Sequence, residues 1–196
     1  MAYVREVDQF SEYSLYSAAV EAEPATAIDM LTALEEQNPK SNYLDEGGYA
    51  RYFQALEQSG GAAKVTGIAE KALKNLPDCE DLLLVLANAA LSKQQNSQAL
   101  RYAQQLVAAA NKHTKAKVMP QADFERRRAT ALGRGYWIAG MVNAANNQYF
   151  ETDRNLRAAL PYIKGNNAMA GPALFALGVA NYQLGAQTNN KSRVLE

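Results

Sequence analysis

One cysteine, one histidine, one tryptophan and no net charge are what 196 residues carry of the usual markers of chemistry. With Cys79 alone, no internal disulfide can form. Its neighbours Asp78, Glu80 and Asp81 are acidic, and nearby carboxylates raise a thiol pKa rather than activate it, so Cys79 is not expected to be a nucleophile. Metal and catalytic sites are clusters of convergent groups, so the lone His113, in the polar link "NKHTKAKVMP", reads as a solvent-exposed spectator. Lys+Arg and Asp+Glu both total 20, which leaves no basic footprint for nucleic acid. The longest apolar run, Leu82 to Leu91, is broken by Asn88 and is far short of the ~20 residues of a membrane span. The opening "MAYVREVDQF" has neither an apolar core nor a small-residue cleavage site, so no secretory signal is expected in it. A Gly-rich phosphate loop, a Ser elbow and His-Glu-x-x-His are all missing. The expectation is a protein without catalytic residues, metal or cofactor.

Strand signals are also missing. There are four isoleucines and no sustained period-2 alternation, whereas helical spacing recurs, as in Leu83, Leu86, Ala87 and Ala90 and then Ala99, Tyr102, Ala103 and Leu106. The chain is expected to be all-α. Proline and glycine cut it into about ten helices, predicted at 9–22, 24–37, 45–59, 61–75, 78–93, 96–112, 121–146, 148–161, 167–184 and from 187 onward. Gly133 and Gly135 could break the longest of these, and Pro161 should stop the one that contains it. The consecutive Arg126, Arg127 and Arg128 fan around a helix and read as solvated surface. Most tyrosines fall at helical spacing and should pack between helices.

Comparing the pieces shows regularity. Pro39 and Pro77 lie 38 residues apart, as do Gly140 and Gly178. Such a period, with two helices per unit, marks an α-solenoid. "LFALGVANY" resembles the first helix of a tetratricopeptide repeat (TPR), with Leu174, Leu177 and Gly178 in place and Tyr182 one residue late. "YWIAGMVNA" is similar through Tyr136, Ala139 and Gly140, and "DLLLVLANAALSKQQNSQALRYAQQL" resembles a whole unit. Two further units, through Ala27, Leu31, Leu34 and Pro39 and through Tyr52, Phe53, Leu56, Ala69, Ala72 and Pro77, extend the likeness over nearly the whole chain.

The resemblance implies a right-handed α-solenoid of about five helix–turn–helix units, at 8–41, 45–77, 78–112, 121–164 and 167–196, with the last one incomplete. It implies a small residue where the two helices of a unit cross, a place held by Ala87, Gly140 and Gly178 but by Leu15 and Phe53 in the first two units. It also implies that first helices line a concave groove that binds a peptide or partner protein, without catalysis. The groove places are Glu12 and Tyr16, Ala50 and Gln54, Leu84 and Asn88, Trp137 and Met141, and Phe175 and Val179. Only Asn88 fits the family's carboxylate clamp, so a chaperone-tail receptor is disfavoured. The expected surface is centred on Trp137, Met141, Phe175 and Val179, with Asn88, Arg134 and Tyr182 as polar contributors. Two rivals stand beside it: self-assembly through an uncapped last helix that would end at Glu196, and a superhelix with a small-ligand or enzymatic pocket. Bacterial arrays of this kind often follow a signal peptide, which favours the cell envelope over the cytoplasm.

Overall fold

The computed structural model describes residues 2–114 and 120–188, and every regular element in them is helical. Among the described residues nine α-helices follow one another: α1 Ala2–Glu21, α2 Pro24–Gln37, α3 Tyr49–Gln58, α4 Ala62–Ala72, α5 Glu80–Ser92, α6 Asn96–Lys112, α7 Gln121–Ala145, α8 Tyr149–Ile163 and α9 Asn167–Thr188. The chain gathers into two compact units, residues 1–85 and 86–196, whose boundary falls within α5.

In the first unit α1 packs on α2, α2 on α3 and α3 on α4. Pro24 opens α2 at a position where its missing N–H has no intrahelical partner to lose. The core is aliphatic where α2 supplies it, through Ala27, Leu31 and Leu34, and aromatic where α3 does, through Tyr49, Tyr52 and Phe53. Phe53 stacks against Tyr49 and Tyr52, with ring centroids 5.7 and 6.2 Å away. A π-type turn, Leu44–Gly48, leads into α3. Gly47 there has φ of 130°, a conformation that only glycine adopts at no steric cost. The Arg51 guanidinium donates to the carbonyls of Ala19 and Ala22, closing the C-terminal end of α1 with charge of the favourable sign.

In the second unit α7 packs against α6, α8 and α9, and α8 against α9. Its glycines mark where neighbours come closest. A Cβ at Gly135 would lie 2.7 Å from the Val107 side chain of α6, and one at Gly133 2.7 Å from Tyr162 of α8. One at Gly140 would lie 2.4 Å from Leu156, again on α8. Gly133 and Gly135 therefore admit neighbouring helices to an unbroken α7. The expected stop at Pro161 is likewise overruled: α8 runs on to Ile163, whose side chain is buried with Leu156, Ala159, Ala173 and Leu177.

Three turns share one geometry. Gly60, Gln94 and Asn147 have φ of 77°, 56° and 57°. In each, the next residue's N–H reaches back across the turn: Gly61 to Leu56, Gln95 to Ala90 and Gln148 to Asn143, at 2.6, 2.9 and 2.9 Å. This is the Schellman closure of a helix end, and in each case a new helix starts at the following residue. The hairpins α3–α4, α5–α6 and α7–α8 are thus closed alike, and Gly60 and Gln94 are 34 residues apart.

Two expectations fail in α9. Gly178 was expected to sit against a second helix like Gly140, yet it is exposed and a Cβ there would meet nothing within 4 Å. The predicted break at Gly185 does not occur either, because Gly185 is buried inside a helix that continues to Thr188. The remainder of the predicted tenth helix and the uncapped edge at Glu196 lie outside the described residues.

Candidate functional site

The residues expected to form a binding surface fall into two groups. The first is built on α5 and α7. Arg134 Nε donates to Asn88 Oδ1 at 2.8 Å, and its guanidinium carbon lies 4.8 Å from the centre of the Trp137 ring. Trp137 is in turn fixed by its Nε1–H, which donates to the Met169 carbonyl at 2.9 Å, at the start of α9. Two residues on two helices, Asn88 and Trp137, thus orient the Arg134 cation, by a hydrogen bond on one side and a π-face on the other. Arg134 is half-buried, and burial pushes its pKa below the usual range. No carboxylate among the described residues pairs with it. Met141, one turn along α7 from Trp137, is half-buried with it against Leu156, Ala173, Ala176 and Leu177.

The second group is on α9. Ala173, Ala176, Leu177 and Ala180 face inward, while Leu174, Phe175, Val179 and Tyr182 turn outward with 57%, 76%, 41% and 56% of their surfaces exposed. Gly171 and Gly178 lie on the same outer stripe. Residues at i, i+3, i+4 and i+7 share a helix face, so this is a second continuous apolar stripe, opposite the buried one. α9 carries no charged residue at all. Phe175 and Val179 share this exposed face, but the register that turned them to a groove took Gly178 to be packed on a second helix, and Gly178 lies exposed beside them. Leu174 was missed as part of that face, because the repeat pattern assigned it to packing.

Other expected positions change character. Glu12, expected in the groove, is buried, where its carboxylate accepts from Asn38 Nδ2 at 2.8 Å and from Ser41 Oγ at 2.5 Å. Tyr16 and Tyr13 pack on Tyr43, with centroids 5.6 and 5.8 Å away. Burial, then the negative charges of Glu12 and Glu46, raise the Tyr43 pKa. His113 is half-buried where α6 ends, not exposed. Cys79 is buried, and its thiol is pushed well up, by desolvation first and by Asp81 and Asp45 next. The sequence neighbours are thus a lesser cause than burial, and a side chain 34 positions away contributes a hydrogen bond. Of the consecutive arginines, Arg126 pairs with Asp123 at 2.8 Å on the surface, whereas Arg128 is half-buried. Among the described residues, no group of three His, Cys, Asp or Glu could hold a metal ion, and no helix is long and apolar enough to cross a membrane.

Net neutrality is not a property of either unit. Residues 1–85 carry 15 acidic and 6 basic side chains, and residues 86–196 carry 5 acidic and 14 basic ones. The chain matches no family model, no curated protein and no solved structure.

Proposed function

We propose that this chain is a non-enzymatic interaction scaffold, a right-handed α-solenoid of TPR-like units that binds a peptide or partner protein. Support for the repeat architecture comes from the three hairpins closed by the same turn and from the close crossing of α7 and α8 at Gly140. The observation that carries the binding reading is the outer face of α9. Phe175 at 76% exposure, in line with Leu174, Val179 and Tyr182, is more apolar surface than a solvated helix needs, and contiguous exposed patches of this kind mark interaction sites. The oriented, half-buried Arg134 on Trp137 adds a polar anchor of the residue types that dominate binding hot spots. The buried, proton-retaining Cys79 supports a role without nucleophilic chemistry.

Trp137 is the chain's only tryptophan, so its fluorescence reports on the anchor directly. A partner captured with the wild-type chain should change Trp137 emission on titration. Phe175→Ala and Arg134→Ala should each weaken binding by about tenfold or more, which is ~1.4 kcal/mol, with helical content unchanged. Wild-type affinity in both folded variants would remove α9 and Arg134 from the binding surface.

A further inference from the structure

α9 is not the only helix with an unused apolar stripe. On α1, Phe10 is 72% exposed, and Val7, Tyr13 and Val20 are each 48% exposed; spacings of three and seven residues place these four on one face. The two stripes belong to units of opposite charge. α1 lies in the unit with nine more acidic than basic side chains, and α9 in the unit with nine more basic than acidic ones. A second copy of this chain therefore offers each stripe an apolar counterpart set in a field of the opposite sign.

We propose that the outer face of α9 in one copy docks on the exposed face of α1 in a second copy, so that the chain associates head to tail. The complementarity is steric as well as electrostatic. Gly178, with nothing within 4 Å of a Cβ, leaves a notch between Leu174, Phe175 and Tyr182 that a ridge such as Phe10 fits. α9 itself brings no ion into the contact to be buried. Pairing α9 with α9 would instead bring two basic units together, and pairing α1 with α1 two acidic ones, which like-charge repulsion disfavours. A contact between two different faces leaves one of each free, so association continues beyond the dimer or closes into a ring. This inference shares with the preceding section only the reading of the α9 face as a binding surface, and it names the occupant.

Sedimentation of the whole chain at rising concentration tests it. The wild type should leave the 21.4 kDa monomer mass and pass that of a dimer as concentration rises from about 10 µM to about 1 mM, the range of a small, weak interface. Raising NaCl from about 0.02 M to about 0.5 M should weaken association by about tenfold or more, since it shortens the reach of the opposed charges. Phe10→Asp and Phe175→Asp, both at exposed positions and checked for unchanged circular dichroism, should each remain monomeric. An equimolar mixture of the two should form a dimer that grows no further, because each variant keeps the face the other has lost. A wild type that stays monomeric throughout overturns the inference, and so does a Phe10→Asp chain that still associates or an association indifferent to salt. A monomeric wild type that nevertheless binds a separate partner through Phe175 would leave the scaffold reading standing.

Discussion

The two glycines at matching places in α7 and α9 should respond to the same substitution with opposite signs. At Gly140 an added methyl would sit 2.4 and 2.5 Å from Leu156 Cδ2 and Cγ and 3.2 Å from its backbone nitrogen. Leu156 is fully buried in the cluster with Ala159, Ile163 and Leu177, and the clash reaches past its terminal methyl to Cγ and towards its backbone nitrogen, so the strain reaches the α8 backbone. Overpacking of this kind costs about 1–3 kcal/mol. Alanine recovers about 1 kcal/mol of helix propensity over glycine, which leaves Gly140→Ala destabilised by up to about 2 kcal/mol. At Gly178 the added methyl meets nothing, so only the propensity acts and Gly178→Ala should be stabilised by about 0.5–1 kcal/mol. The two variants should differ by about 2 kcal/mol, which urea unfolding followed by circular dichroism resolves as opposite shifts of the midpoint at constant slope. A Gly140→Ala protein stabilised as much as Gly178→Ala would refute the crossing of α7 and α8 at that point. A Gly178→Ala protein destabilised as much as Gly140→Ala would show that the outer face of α9 is covered.

Glu12→Ala should destabilise the first unit by about 2 kcal/mol, because Asn38 Nδ2 and the buried Ser41 hydroxyl would each lose an acceptor; the unfolding midpoint measures this, and an unchanged midpoint would contradict the network. Stability should also fall in alkali. The unfolded chain releases the Cys79 proton near pH ~8.5, whereas the folded chain, with its raised thiol pKa, retains it. The stabilisation is therefore complete below pH ~8.5 and is lost above it at up to about 1.4 kcal/mol per pH unit, with Tyr49, also raised by burial, adding to the slope above pH ~10. Chemical unfolding at a series of pH values should show that slope in the wild type and a flatter one between pH ~8.5 and ~10 in Cys79→Ala. That variant should also lose packing stability at neutral pH, since the side chain is buried.

Where helices form was legible in the residues themselves. Leu83, Leu86, Ala87 and Ala90 share a face by spacing alone, and Pro24, Pro39 and Pro77 punctuate because a ring without an N–H limits a helix whatever surrounds it. Those are local properties, and the structure has helices at nearly every predicted span. The apolar character of Phe175 and Val179 was equally legible, but the register that turned them to one face took Gly178 to be packed on a second helix, and Gly178 is exposed beside them. Which glycine is crowded could not be local. Gly140 and Gly178 occupy the same place in similar sequences, and only the presence of α8 over one, with no described residue over the other, separates them. The same holds for Glu12, Asn38 and Ser41, which meet across 29 residues of chain, and for Cys79, whose acidic partner Asp45 comes from the π-type turn before α3. It holds also for Arg134, whose place between Asn88 and Trp137 depends on how α7 lies on α5. Period and punctuation determine helices because they act over one or two turns. Crowding, burial and the partner of a charge depend on what another helix brings to the same spot, and only the packed chain decides that.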